Sequence, residues 1–131
     1  MKRLIFPKPK YSNDSNNLII LRIELSVEYT KIDFGYQPNY ELEIGGKIKI
    51  TNGIILHNNN KKFKLIKAEN IPVSMQINFK SIEDWLLFSL YFEPLPFECT
   101  KFDITKTPKS NKSIFNFYSI ELDDNKQFEI K

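Results

Sequence analysis

One cysteine, one histidine, two arginines and four glycines stand among 131 residues, and each shortage closes a class of chemistry. Cys99 has no second thiol to pair with, so no intrachain disulfide and no thiolate metal site of the usual spacing can form within one chain. His57 is the one imidazole available to a nucleophile–base arrangement, and it lies in H-N-N-N-K-K, which reads as a solvated hairpin loop with nothing to orient the ring. Gly45 and Gly46 are followed by neither G-K-[ST] nor the spacing G-x-G-x-x-G, so no phosphate cradle is expected. No apolar run approaches the roughly 18 residues of a membrane span, and after Met1-Lys2-Arg3 only Leu4, Ile5 and Phe6 precede Pro7, too few for a secretory core. These shortages predict a cytoplasmic protein without metal, cofactor, membrane contact or catalytic residues.

What the chain does hold is apolar and aromatic. At 41% apolar and 14% aromatic it has enough to build one packed core, and its length suits one domain. Nineteen basic and sixteen acidic residues are interspersed, which favours solubility over a one-signed binding field. Isoleucine, phenylalanine and tyrosine abound while alanine occurs once, a balance that favours strands.

The most apolar stretch, W-L-L-F-S-L-Y-F-E-P-L-P at residues 85–96, is expected to be the central strand, buried on both faces or nearly so, with a helical turn at residues 81–84 before it; the alternative is a helix capped at Ser81, which would be apolar all round. Residues 1–17, with Pro7 and Pro9, read as an irregular arm, and residues 18–131 as the folded domain. Ile19, Leu21, Ile23, Leu25, Val27 and Tyr29 alternate with polar neighbours. The phase then shifts to Ile32, Phe34 and Tyr36, which predicts a bulge or a bend between sheets near Thr30 and Lys31. Gly45 and Gly46 interrupt the even-phase run Tyr40, Leu42, Ile44, Ile48 and Ile50 as a hairpin turn or a bulge, the unbroken phase favouring the bulge, and Pro72 suits a strand edge or start. About eight strands separated by turn signals predict an all-β, single antiparallel sandwich of immunoglobulin-like type, with an open β-barrel as the alternative.

The order T-x-I-x-F-x-Y (from Thr30), G-G-x-I-x-I (from Gly45), K-L-x-x-A-E-x-I-P (from Lys64), F-x-L-x-F-E-P-L-P (from Phe88), F-D-I (from Phe102) and F-N-F-Y-x-I-x-L (from Phe115) resembles a loosely defined group of bacterial immunoglobulin-like β-sandwich accessory modules. That resemblance covers most of residues 18–122. It implies the fold and attachment to something larger, and it brings no catalytic residues.

Candidate sites then reduce to surfaces. Glu93, Glu98 and Asp103 lie close enough in sequence for a carboxylate pair or a cation site, although turn-exposed charges explain them equally well. Tyr11, Tyr36, Tyr40 and Phe97 fall in loops or at strand ends, where aromatic anchors of a partner site are expected. Lys61, Lys62, Lys64 and Lys67 line one hairpin and form an alternative basic patch. The expected function is a non-enzymatic protein-binding or structural accessory module, a component or immunity-type partner in a bacterial assembly. The alternative is binding of single-stranded nucleic acid or carbohydrate through a sandwich face. A protein partner is expected ahead of nucleic acid, and the oligomeric state is not set by the sequence.

Overall fold

The computed structural model describes residues 2–14, 17–37, 47–71, 76–78, 86–107, 113–122 and 128–130. Its strands are β1 (Arg3–Pro7), β2 (Ser12–Asn13), β3 (Leu18–Leu25), β4 (Thr30–Tyr36), β5 (Lys47–Lys49), β6 (Ile54–Asn58), β7 (Lys61–Glu69), β8 (Gln76–Asn78), β9 (Leu86–Phe92), β10 (Lys101–Lys106), β11 (Phe117–Glu121) and β12 (Phe128–Ile130). Ten of them form one antiparallel sheet in the order β12-β1-β3-β4-β9-β7-β6-β10-β11-β2, and β5 pairs with β8. The large sheet curls into a half-barrel. An immunoglobulin-like sandwich calls for two facing sheets, whereas these strands share one hydrogen-bonded sheet, so the open-barrel alternative is the one that fits.

The curl is visible in the core. Phe34 of β4 stacks on Phe88 of β9 at 5.3 Å and meets Phe115 and Phe117, at the far end of the strand order, at 6.2 and 6.0 Å. β7 makes the corner: residues 61–64 pair with β6, and Leu65, Lys67, Ala68 and Glu69 pair with β9 across a register shift beside Ile66. Glu93 fastens that corner, since its N–H donates to Lys64 O (2.9 Å) and its carboxylate accepts Lys64 N–H (2.8 Å). Thr30 ties the proline-rich exit of β9 to β4, its hydroxyl accepting Leu95 N–H (2.8 Å) and donating to Glu93 O (3.2 Å).

β9 does lie mid-sheet, and its even positions Phe88, Leu90 and Phe92 are buried. Its other face is not fully buried as expected, because Leu87 is 61% exposed and Ser89 half-exposed; only Tyr91 is covered. The phase change comes in two steps elsewhere than Thr30–Lys31. β3 turns Leu18 and Ile20 inward, then shifts register at Leu21 and turns in Ile23 and Leu25. The β3–β4 connection is a hairpin in which Leu25 opposes Thr30, held by Ser26, whose hydroxyl oxygen accepts the N–H groups of Glu28 and Tyr29.

The expected irregular arm of residues 1–17 is, where described, not irregular. β1 lies between β3 and β12 with Leu4, Ile5 and Phe6 buried, each contributing about 1.5–3 kcal/mol. The chain then crosses to the opposite edge of the sheet. Lys8 N–H donates to Leu21 O, Lys10 O accepts Glu121 N–H, and β2 pairs with β11. Residues 3–13 therefore stitch the two edges of the half-barrel together. The expectations for Tyr40, the Gly45-Gly46 bulge, Pro72, the turn at 81–84 and Trp85 lie outside the described residues.

Candidate functional site

The sequence-predicted aromatic anchors are not brought together on a surface. Tyr36 is 2% exposed and belongs to the core, so it is no anchor. Tyr11 is half-buried, packs edge-on against Phe117 at 5.1 Å and accepts Ile20 N–H on its hydroxyl oxygen (3.0 Å), which makes it part of the seam. Phe97 is half-buried with Lys2 Nζ 5.2 Å above its ring, and Tyr40 lies outside the described residues. The four lysines are exposed but divided. Lys62 and Lys64 share the outer side of β7 by strand alternation and the register shift beside Ile66 brings Lys67 to the same side, while Lys61 lines a pocket at the hairpin's end.

The reactive side chains are each held by a neighbour. His57 is not in a loop: β6 runs through it to Asn58, and the turn is only Asn59 and Asn60, both at positive φ. Its Nε2 lies 2.7 Å from Thr105 Oγ1, and Asp103 is its cross-strand partner. Asp103 accepts Ser119 N–H at 2.7 Å, as Glu93 accepts Lys64 N–H. Glu98 lies apart from both, in a pocket of about 350 Å³ shared with Asn58, Lys61, Lys101 and Cys99. Cys99 closes the 96–99 turn, its N–H donating to Pro96 O. Burial pushes its thiol up, and Asn58 Nδ2 lies 3.3 Å from the sulfur. No group of three metal-ligating side chains occurs among the described residues.

The feature that sequence reasoning missed is the outer face of β3, β4, β9 and β7. Cross-strand register places Arg22, Asp33, Ser89 and Glu69 in one row, and Glu24, Lys31, Tyr91 and Lys67 in the next. Arg22 lies 3.7 Å from Glu24 and 3.2 Å from Asp33, and Lys31 lies 3.9 Å from Asp33. The Arg22 Nε nearest Asp33 is buried yet not aligned to donate a hydrogen bond. Ser89 donates to Asp33 (2.6 Å), Tyr29 donates to Glu24 (2.6 Å), and Arg3 reaches Glu24 at 3.9 Å. Both arginines of the chain thus converge on Glu24, which is 4% exposed.

Two tyrosines close this network. Tyr91 donates to Glu69, meets Tyr29 edge-to-face at 5.1 Å, and lies beneath Lys67 and Lys31, whose Nζ atoms are 4.5 and 5.6 Å from its ring centre. Burial first, then the hydrogen bond to Glu69, push the Tyr91 hydroxyl well above its ordinary pKa; the bond to Glu24, then burial, raise that of Tyr29. Around the network stand the exposed apolar side chains Val27 (62%), Leu87 (61%) and Ile66 (54%). A sequence signal for it exists. Once Leu25 is placed opposite Thr30, Arg22 must oppose Asp33 and Glu24 must oppose Lys31, so opposite charges at alternate positions of one hairpin announce a charge ladder.

Compared with protein-family models, curated proteins and solved structures, the chain finds no match. No described helix is long and apolar enough to cross a membrane.

Proposed function

We propose that this chain is a non-enzymatic protein-binding module that docks through the outer face of β3, β4, β9 and β7. The observation that carries the reading is the company kept on that face: two arginines and two tyrosines, residue types enriched at interface hot spots, beside three large apolar side chains left more than half exposed. Opposite charges alternate there, so the face suits a partner of mixed charge and not a polyanion. The absence of catalysis is supported by the engagement of His57, Asp103 and Glu93 with neighbouring groups and by the raised thiol of Cys99.

The test is affinity capture from the native cell with the intact chain and with Leu87→Asp, washed at low and high salt. A stoichiometric protein retained at high salt by the intact chain and lost with Leu87→Asp supports the reading. Nucleic acid recovered instead, and released between about 50 and 200 mM salt, overturns it. So does hydrolytic turnover of an esterase, glycosidase, phosphatase or nuclease substrate that disappears on changing Glu93 or Glu98.

A further inference from the structure

The two rows of the outer face are opposite in charge on β3, β4 and β7 and carry a hydroxyl each on β9. On β3, Arg22 lies beside Glu24; on β4, Asp33 beside Lys31; on β9, Ser89 beside Tyr91; on β7, Glu69 beside Lys67. A two-fold axis parallel to the sheet, running across the strands between the rows, exchanges them. It would set each charge of one copy against the opposite charge of another, and the Ser89 hydroxyl against the Tyr91 hydroxyl. A surface with this property is self-complementary, which an isologous dimer requires. The axis also carries the far end of the β3–β4 hairpin, with exposed Val27 and half-buried Tyr29, over Ile19 and Gly35. It brings Leu87 to within a strand of Ile66.

Resting on the docking reading above, we propose that the partner of this face is a second copy of the same chain, bound as a symmetric face-to-face dimer. Arg22, Glu24, Asp33 and Lys31 are already paired within each copy, so covering them strips water from compensated groups and not from lone ions. Strands about 4.8 Å apart and residues about 6.8 Å apart along one face give a contact on the order of 500 Å² per copy. That is below a standard interface and implies a weak, concentration-dependent dimer.

Sedimentation velocity of the whole chain from about 1 µM to about 1 mM tests this. The expected result is a monomer–dimer equilibrium within that range, with Leu87→Asp monomeric throughout. Lys67→Glu alone and Glu69→Lys alone place like charges against each other and should each weaken the dimer by about tenfold, whereas the double exchange restores it. Both positions are exposed, so an unchanged denaturation midpoint in the three variants excludes misfolding as the cause. A chain monomeric at all concentrations, or a dimer indifferent to Leu87→Asp and to these exchanges, overturns the proposal. A monomer that still captures a different protein through Leu87 would overturn the dimer while leaving the docking reading intact; a monomer that captures nothing would remove both.

Discussion

The two faces of β9 are one residue apart in sequence and rest on different physics. Inward, Phe88, Leu90 and Phe92 fill the space beneath the curled sheet together with Phe34, Phe115 and Phe117. Outward, Ser89 and Tyr91 take places in a ladder of opposite charges, and Leu87 is left in water. Apolar area is non-directional, so the inner face specifies a fold without specifying neighbours one by one. The outer face is pairwise and depends on register: slip β4 against β3 by two residues and like charges meet.

The largest break in this comparison should come from Phe34→Ala, which removes a ring touching three others and should cost about 3–5 kcal/mol in a urea titration. Next is Thr30→Val. It leaves Leu95 N–H and Glu93 O without the hydroxyl that joins them and should cost about 1–3 kcal/mol by the same measurement.

A smaller effect belongs to the outer face and depends on pH. Because the Tyr91 hydroxyl titrates higher folded than unfolded, both states hold the proton below about pH 10 and its contribution is fully present there. Above that the unfolded chain ionises first, so stability falls as pH rises. Thermal unfolding between pH 8 and 11 should show this fall, and it should be shallower in Tyr91→Phe. Cys99, whose thiol burial pushes up, should react with a disulfide reagent at neutral pH far more slowly than a free thiol. Smallest of all, Lys61→Ala at its exposed place should change the urea midpoint by less than about 0.5 kcal/mol.

The parts of the fold legible in the sequence are those where period two is unbroken. Residues 86–92 keep it throughout and proved central, and Ile32, Phe34 and Tyr36 face inward as their spacing says. β3 misleads because Ile19 and Leu21 are apolar on the outer side before the register shift, so the sequence shows one continuous odd phase where the strand has two. β1 was hidden by Pro7 and Pro9, yet Pro7 is its last residue, where a missing N–H is tolerated. Asparagine blurred the bounds of the β6–β7 hairpin that the sequence announces. Asn59 and Asn60 accept positive φ, so a turn of two residues looked like the longer loop H-N-N-N-K-K and carried His57 out of its strand. The candidate site was legible only in the alternate charges of the β3–β4 hairpin, for another reason. Its residues come from four strands, and only tertiary register makes Arg22, Asp33, Ser89 and Glu69 neighbours.

The most direct test of the division between the two faces is the urea denaturation of two neighbours on β9, Leu87→Asp and Phe88→Ala, measured at a low concentration where association is absent. The account predicts a loss of about 3–5 kcal/mol for Phe88→Ala and a change within about 0.5 kcal/mol for Leu87→Asp. Comparable losses at both positions would contradict it, because Leu87 would then belong to the packed core and the outer face would not be free to receive a partner.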